Sequence, residues 1–267
     1  MRVGVVGCGN IATDLCRAMA DSTFPAQVVA LVDVEPERAR ALQAEFAPDA
    51  MACSLLEAAA HADFLVECAV ASVVPEVLAM AVRNTRGCLI LSLGALVTEP
   101  DLLDTAYRSG LQVRLPSGAV CGLDGLRAAR EAGVDRVTLT TRKPPAGLQG
   151  APYLVANGMD VTGLNEPLTV FEGNALEAVK AFPQNVNVAA AISLAGIGPQ
   201  RTQVRVVADP AATVNSHELV AEGAFGRLRA VTENVPSPRN AKTSYLASLS
   251  AIAELRAAGA EFGLTSA

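Results

Sequence analysis

The sequence predicts an α/β protein: an N-terminal doubly wound parallel sheet, a second α+β domain, and a C-terminal helix that returns to the first domain. Short buried strands and amphipathic segments alternate over the first hundred residues, which is typical of a parallel sheet with helices on both faces. After residue 114, strands and helices follow in a different order, typical of an α+β domain. We therefore expect domains at 1–113 and 114–238, and a returning helical segment at 239–267.

The first domain can be followed element by element. Ile11, Leu15 and Met19 have helical spacing, and Pro36 lies near the first turn of the next helix. His61 is expected at the edge of a helix. Strands are predicted at RVGVVG, QVVALVD, ADFLVECA, CLILSLG and LQVRLPSG, and helices at NIATDLCRAMA, EPERARALQAEF, VVPEVLAMAVRN and EPDLLDTAYRSG.

In the second part, glycine-rich PSGAVCGLDGL leads into a helix, and VDRVTLTTRKPP is an alternating strand ended by two prolines. Strand, helix, helix and strand follow through residue 210. We interpret VNSHEL, residues 214–219, as the start of a helix, with Asn215 or Ser216 as its cap, before a polar loop at 220–235. The last helix should bury the apolar stripe Leu246, Leu249, Ile252 and Leu255.

Composition excludes several classes of protein. The 267 residues carry a net charge of −6 with a pI near 5.1, which argues against nucleic acid and against an anionic membrane surface. The longest uncharged apolar stretch is too short to span a bilayer, and the N-terminus does not resemble an export signal. The six cysteines form no CxxC pair and neither histidine has zinc-ligand spacing, so we expect reduced thiols, no metal and a cytoplasmic location.

The turn VGCGNIA after the first strand fits a phosphate-binding loop. Gly7 permits the tight turn, Gly9 lets the backbone approach a pyrophosphate, and Ala12 lets the helix pack closely. Asn10 and Ile11 begin the helix, whose unpaired N–H groups attract anions. The motif therefore predicts a Rossmann domain that binds a dinucleotide.

Asp33 ends the second strand at the spacing at which an acid accepts the ribose hydroxyls of adenosine, which favours NAD over a 2′-phosphate. Arg38 or Arg40 could still reach the 2′-phosphate of NADP, so NADP stays open. Ala69, Gly94 and Ala95 lie where later strands end and leave room for the nicotinamide ribose. In the alternative interpretations, the domain is flavodoxin-like with an incidental Asp33, and the small residues only close tight turns.

Several blocks together resemble the L-aspartate dehydrogenase family over nearly the whole chain: GCGNIA, VECA, SLGAL, PSGAVCGLDGL, TTRKPP, FEGNALEAVKAFPQNVNVAAAISLAGIG, VNSHEL and SPRNAKTSYLASLSAI. The resemblance implies NAD(P)-dependent oxidation of L-aspartate to iminoaspartate, which yields oxaloacetate and ammonia or feeds NAD biosynthesis. It implies that His217 is catalytic and that Asn187 and Cys121 contact the cofactor. Alanine is more usual at the position of Cys121.

The residues themselves support this chemistry. A histidine near a helix start would be kept neutral by the helix dipole and could act as an acid/base, although helix capping alone could explain VNSHEL. Arg142 or Lys143 could bind a substrate carboxylate, or form a solvated strand end. A lysine base, as in many amino-acid dehydrogenases, is possible only at Lys143. Asn185 and Asn187 could simply cap the following helix.

Two other functions stay open. One is another reductase with this architecture, similar to homoserine dehydrogenase or dihydrodipicolinate reductase. The other is an NAD-binding regulator without catalysis. In each case the partner is a small molecule, and a homodimer through the sheet of the second domain is our default expectation.

Overall fold

The computed structural model of the chain describes residues 1–182 and 187–265. It consists of two compact units. Unit 1 comprises Met1–Pro116 with Ala247–Ala267, and unit 2 comprises Ser117–Leu246. No helix in the described ranges is long and apolar enough to cross a membrane.

Unit 1 contains the predicted doubly wound parallel sheet, which is confirmed. The strand order is β3-β2-β1-β4-β5-β6, and every pairing is parallel. The strands are β1 Arg2–Val6, β2 Gln27–Val32, β3 Met51–Ala52, β4 Phe64–Glu67, β5 Gly87–Ile90 and β6 Gln112–Arg114. The helices are α1 Asn10–Met19, α2 Pro36–Phe46, α3 Leu55–His61, α4 Val74–Asn84, α5 Gly94–Thr98 and α6 Asp101–Arg108.

The strand order reverses between β1 and β4, the point at which open α/β sheets bind ligands beyond their carboxyl ends. The strands β1, β4 and β5 are almost entirely buried and are apolar apart from Arg2 and Glu67, as expected for a parallel sheet with helices on both faces. His61 is the last residue of α3, as expected. The fold thus brings the ends of β1, β2, β4 and β5 to one edge.

Unit 2 contains a five-stranded sheet in the order β11-β10-β7-β9-β8, in which only β7 and β9 run parallel. Its strands are β7 Val134–Lys143, β8 Leu168–Asn174, β9 Thr202–Ala208, β10 Asn215–Gly223 and β11 Gly226–Asn234, with a separate pair β12 Pro236–Ser237 and β13 Asn240–Ser244. The helices are α7 Leu123–Arg130, α8 Pro152–Ala156, α9 Ala175–Ala181 and α10 Asn187–Ala195.

The prediction for VNSHEL was wrong. The segment opens β10, and the expected polar loop is the rest of a hairpin in which β10 and β11 pair from Asn215↔Asn234 to Gly223↔Gly226. Buried side chains alternate along β10 at His217, Leu219 and Ala221. This two-residue period decides the structure, because pairing with strands on both sides outweighs the capping preference of Asn and Ser.

The C-terminal helix α11, Tyr245–Thr265, begins later than expected because 240–244 pair with β12. Ala251, Leu255 and Ala258 of α11 lie in the core of unit 1, which confirms the return to the first domain. Leu249 is 41% exposed, so the predicted apolar stripe is wrong at that residue.

Candidate active site

The turn after β1 requires glycine at its first position. Gly7 has φ +91°, and a Cβ built there would lie 2.7 Å from the Cα of Ala69 and 2.7 Å from the carbonyl oxygen of Cys68. The thiol of Cys68 lies 3.2 Å from the Gly7 carbonyl oxygen. Any side chain at Gly7 would therefore separate the end of β1 from the end of β4.

The space that a pyrophosphate needs lies beside Gly9. A Cβ built on Gly9 meets no atom within 4 Å, and no side chain caps α1, whose N-cap is Gly9. The N–H groups at the start of this helix, at Asn10 and Ile11, are therefore available to an anion. These residues fit a dinucleotide phosphate.

Asp33 follows β2 directly and is tied to the same turn. Its Oδ2 accepts the N–H of Cys8 at 2.7 Å, and its Oδ1 accepts the N–H of Glu35 at 2.8 Å. Each carboxylate oxygen keeps a further acceptor site that a ribose hydroxyl could use. Arg38 pairs with Glu35, the N-cap of α2, at 2.7 Å, and Arg40 pairs with Glu37, so both arginines already have acidic partners nearby in the chain.

Of the small residues beyond β4 and β5, only Ala69 is seen at this turn, and none of them ends a strand as predicted. Ala69 packs on Gly7, whereas Gly94 and Ala95 begin α5 instead of ending a strand, because β5 stops at Ile90. The sequence interpretation missed Glu67, which is fully buried and accepts hydrogen bonds from Ala69 and Ser92. Burial raises the pKa of Glu67, and these hydrogen bonds oppose the change.

In unit 2, one face of the sheet buries a histidine, a threonine and a lysine. His217 pairs with Thr141 across β10 and β7, and its Nδ1 lies 3.0 Å from the Thr141 hydroxyl. Lys143 follows two residues later on the same face of β7 and is 6% exposed. His217 is 5% exposed, so it is a buried residue of a strand and not the helix-start residue that was expected.

Desolvation controls the ionisation of both groups. Burial, and then the charge of Lys143, lower the pKa of His217 to about 4. Burial lowers the pKa of Lys143 to about 8. The histidine is therefore neutral at pH 7 as expected, but burial is the cause and not a helix dipole.

Arg142 and Lys143 lie on opposite faces of β7. The side chain of Arg142 is 47% exposed and reaches Asp209 at 3.4 Å, whereas Lys143 is buried beside a cavity of about 20 Å³ lined mainly by apolar side chains. The solvated strand end that was the alternative for both residues fits Arg142 and is wrong for Lys143.

The two remaining cofactor candidates lie in unit 2. Cys121 is exposed, with its thiol 3.8 Å from the Val231 carbonyl oxygen. Asn187 is the exposed first residue of α10, and Asn185 lies outside the described residues.

Burial raises the pKa of Cys8, Cys16 and Cys88 to about 12, so these three stay protonated as core thiols. In the ranges 1–182 and 187–265, no three His, Cys, Asp or Glu side chains cluster as metal ligands would.

The chain matches two family models. Residues 124–258 match "Aspartate dehydrogenase, C-terminal" and residues 7–116 match "Homoserine dehydrogenase, NAD binding domain". The L-aspartate dehydrogenase of Methanosarcina acetivorans is 45% identical, with 96% of each chain covered. That of Bradyrhizobium diazoefficiens is 39% identical over 96% of this chain and 91% of the relative. The chain belongs to the L-aspartate dehydrogenase family.

Solved structures show the same fold. The crystal structure of aspartate dehydrogenase from Thermotoga maritima has a TM-score of 0.70 at 24% identity, covering 98% of this chain and 96% of that one. A scyllo-inositol dehydrogenase from Lactobacillus casei with bound NAD(H) has a TM-score of 0.55 at 14% identity, covering 100% of this chain and 89% of that one. The predicted architecture, a doubly wound parallel sheet followed by an α+β domain, is therefore confirmed.

Proposed function

We propose that this chain catalyses the NAD(P)-dependent oxidation of L-aspartate to iminoaspartate, which water converts to oxaloacetate and ammonia. The observation that carries the proposal is the buried face with His217, Thr141 and Lys143, in a chain of this family. A regulator without catalysis would need no such titratable pair. The 39–45% identical relatives are named as L-aspartate dehydrogenases, which favours this reaction over the homoserine dehydrogenase-like and reductase-like alternatives.

Unit 1 would hold the dinucleotide through the Gly7–Ala12 turn, Asp33, Ala69, Gly94 and Ala95. When bound, the nicotinamide supplies the acceptor for the hydride that leaves the substrate α-carbon. Asn187 and Cys121 are proposed as further cofactor contacts, as the family resemblance implies.

His217 acts as the acid/base. The amine of aspartate must lose protons as the C=N bond forms, and a neutral imidazole can accept one. In the tautomer that donates Nδ1–H to the Thr141 hydroxyl, 3.0 Å away, Nε2 keeps the lone pair that a base needs. A pKa of about 4 makes the free imidazole a weak base, but two substrate carboxylates nearby would raise it towards neutrality.

Lys143 is the stronger candidate for binding a substrate carboxylate, because it shares the buried face with His217. An ammonium in a desolvated site attracts an anion more strongly than an exposed cation does. Arg142, exposed and paired with Asp209, is the second candidate.

We further propose that the protein is a homodimer formed through the sheet of unit 2 and that it lies in the cytoplasm. We also propose that its product, iminoaspartate, feeds NAD biosynthesis. Sedimentation velocity would show twice the 27.5 kDa chain mass for the dimer; a monomer at micromolar concentration would contradict it. Cell fractionation tests the location. Rescue of a strain that lacks its own source of iminoaspartate tests the pathway.

A substrate screen tests the activity itself. Formation of NADH or NADPH is followed at 340 nm with L-aspartate beside other amino and hydroxy acids. L-aspartate should give the highest kcat/KM. A higher value for homoserine or any hydroxy acid would contradict the proposed substrate.

Asp33→Ala should narrow the preference for NAD over NADP. The change removes acceptors for the ribose hydroxyls and a charge that repels a 2′-phosphate, so the ratio of Kd(NADP) to Kd(NAD) should fall by about tenfold or more. It also removes the hydrogen bonds to Cys8 and Glu35, so the ratio is the informative measurement. Glu45→Ala, at an exposed acid of α2, is the control, and equal losses for both cofactors would place Asp33 outside the ribose site.

Lys143 should give substrate binding a pH dependence. Succinate has both carboxylates and no amine, so its inhibition constant above pH 7 follows the charge of Lys143 without the titration of a substrate amine. Lys143 is charged below its pKa of about 8, so Ki should rise by about tenfold per pH unit above that value. Lys143→Met should bind weakly at every pH without this rise. Arg142→Met should keep both the affinity and the rise. A wild-type profile that is flat through pH 8, together with weak binding in Arg142→Met, would make Arg142 the anchor, because a guanidinium stays charged in this range.

His217→Asn should lower kcat with L-aspartate by ~10²–10⁴-fold, because asparagine is polar but cannot titrate near neutrality. The loss corresponds to roughly 3–5 kcal/mol in the activation barrier. Affinity for NADH should persist, and a melting curve should show a stability loss of about 1–3 kcal/mol from the buried contact with Thr141. His61→Asn, at the exposed end of α3, is the matched control. Near-normal turnover in His217→Asn would show that the residue is structural.

A further inference from the structure

Glu67 is a buried carboxylate that the proposed chemistry does not use. It is the last residue of β4 and is 0% exposed. Its Oε1 accepts the N–H of Ala69 and the hydroxyl of Ser92, both at 2.8 Å. Its Oε2 accepts the N–H of Ser92 at 2.8 Å and that of Leu91 at 3.1 Å.

These four bonds join the two segments that follow β4 and β5. Ala69 leads the first segment and lies against Gly7, where a Cβ would come within 2.7 Å of its Cα. Ser92 leads the second, two residues before the start of α5 at Gly94. One carboxylate therefore sets the spacing between the β5 end and the segment that packs on the dinucleotide turn.

A carboxylate is the group that suits this place. All four partners are donors, and a carboxylate presents acceptors only. A glutamine of the same size would turn two amide hydrogens towards N–H or O–H donors. Burying a charge is costly unless it is fully hydrogen-bonded, and the ion pairs of the described residues include none with Glu67. The four hydrogen bonds, and not a neighbouring cation, therefore stabilise the buried carboxylate of Glu67.

We propose that Glu67 is a positioning residue for the nicotinamide–ribose half of the dinucleotide site. It holds Ala69 and the segment from Ser92 to Ala95 at the spacing that this half requires. The adenosine diphosphate half depends instead on the Gly7–Ala12 turn and Asp33. The inference rests on the proposed binding of a pyridine dinucleotide by unit 1.

The test compares two probes in Glu67→Gln by titration calorimetry: NADH, and ADP, which lacks the nicotinamide and its ribose. The Kd for NADH should rise by about tenfold or more, the range for losing a hydrogen bond to a charged group, while the Kd for ADP should change by less than about twofold. A general loss of structure would raise both Kd values by the same factor. The ratio of Kd(NADH) to Kd(ADP) therefore separates positioning from stability.

Two further variants complete the design. Asp63→Asn makes the same acid-to-amide change at the other end of β4, where Asp63 pairs with Arg2 at 2.9 Å, and it should leave the ratio unchanged. Ser92→Ala keeps the carboxylate but removes the hydroxyl donor, and it should raise the Kd for NADH alone by about two- to fivefold. If Glu67→Gln does not fold, the ratio of Kd(NADH) to Kd(ADP) in Ser92→Ala tests the inference in its place.

Equal weakening of both probes, unchanged NADH affinity in a folded variant, or the same effect in Asp63→Asn would overturn the inference. A wild-type protein that binds neither probe would overturn the proposed function, and the inference with it. A wild-type protein that binds both, with an unchanged ratio in Glu67→Gln and Ser92→Ala, would overturn the inference alone.

Discussion

Unit 1 depends on the close approach of two backbone segments, the Gly7 turn and Cys68–Ala69. A Cβ at Gly7 would lie within 2.8 Å of three atoms of those residues, so glycine is required for the ends of β1 and β4 to meet. Since the sheet order reverses between these strands, the contact forms the floor of the crevice in which such sheets bind ligands. Asp33 holds the turn from one side through Cys8, and Glu67 holds Ala69 from the other.

In unit 2, the main constraint is the free energy that it costs to bury charged side chains. His217 and Lys143 lie on an apolar sheet face, and burial lowers the pKa of both. The charge of Lys143 lowers the pKa of His217 further. A substrate with two carboxylates would relieve both effects, because a negative charge in a site of low polarity stabilises nearby cations. Binding and protonation are therefore coupled in this arrangement.

The sequence was most informative where structure depends on short-range rules. The glycine turn, the acid after β2 and the alternation of strands and helices were predicted, because each follows from local spacing. Glu67 was missed, although an acid that ends the apolar strand Phe64–Glu67 is an unusual feature. Its function as an anchor depends on Leu91 and Ser92, which are 24 and 25 residues away, and no local pattern reveals such a contact.

His217 shows why a residue can be proposed for its chemistry and yet be placed in the wrong element. Asn215 and Ser216 are good helix caps, but the competing signal was the alternation of His217, Leu219 and Ala221, which fits a strand buried on one face. The difference changes the mechanism. A helix dipole would keep the imidazole neutral whether or not substrate were present. Desolvation and the charge of Lys143 keep it neutral only until a compensating anion arrives. In the proposed enzyme, His217 is therefore a weak base in the free site and gains basicity when the dicarboxylate that it serves is bound.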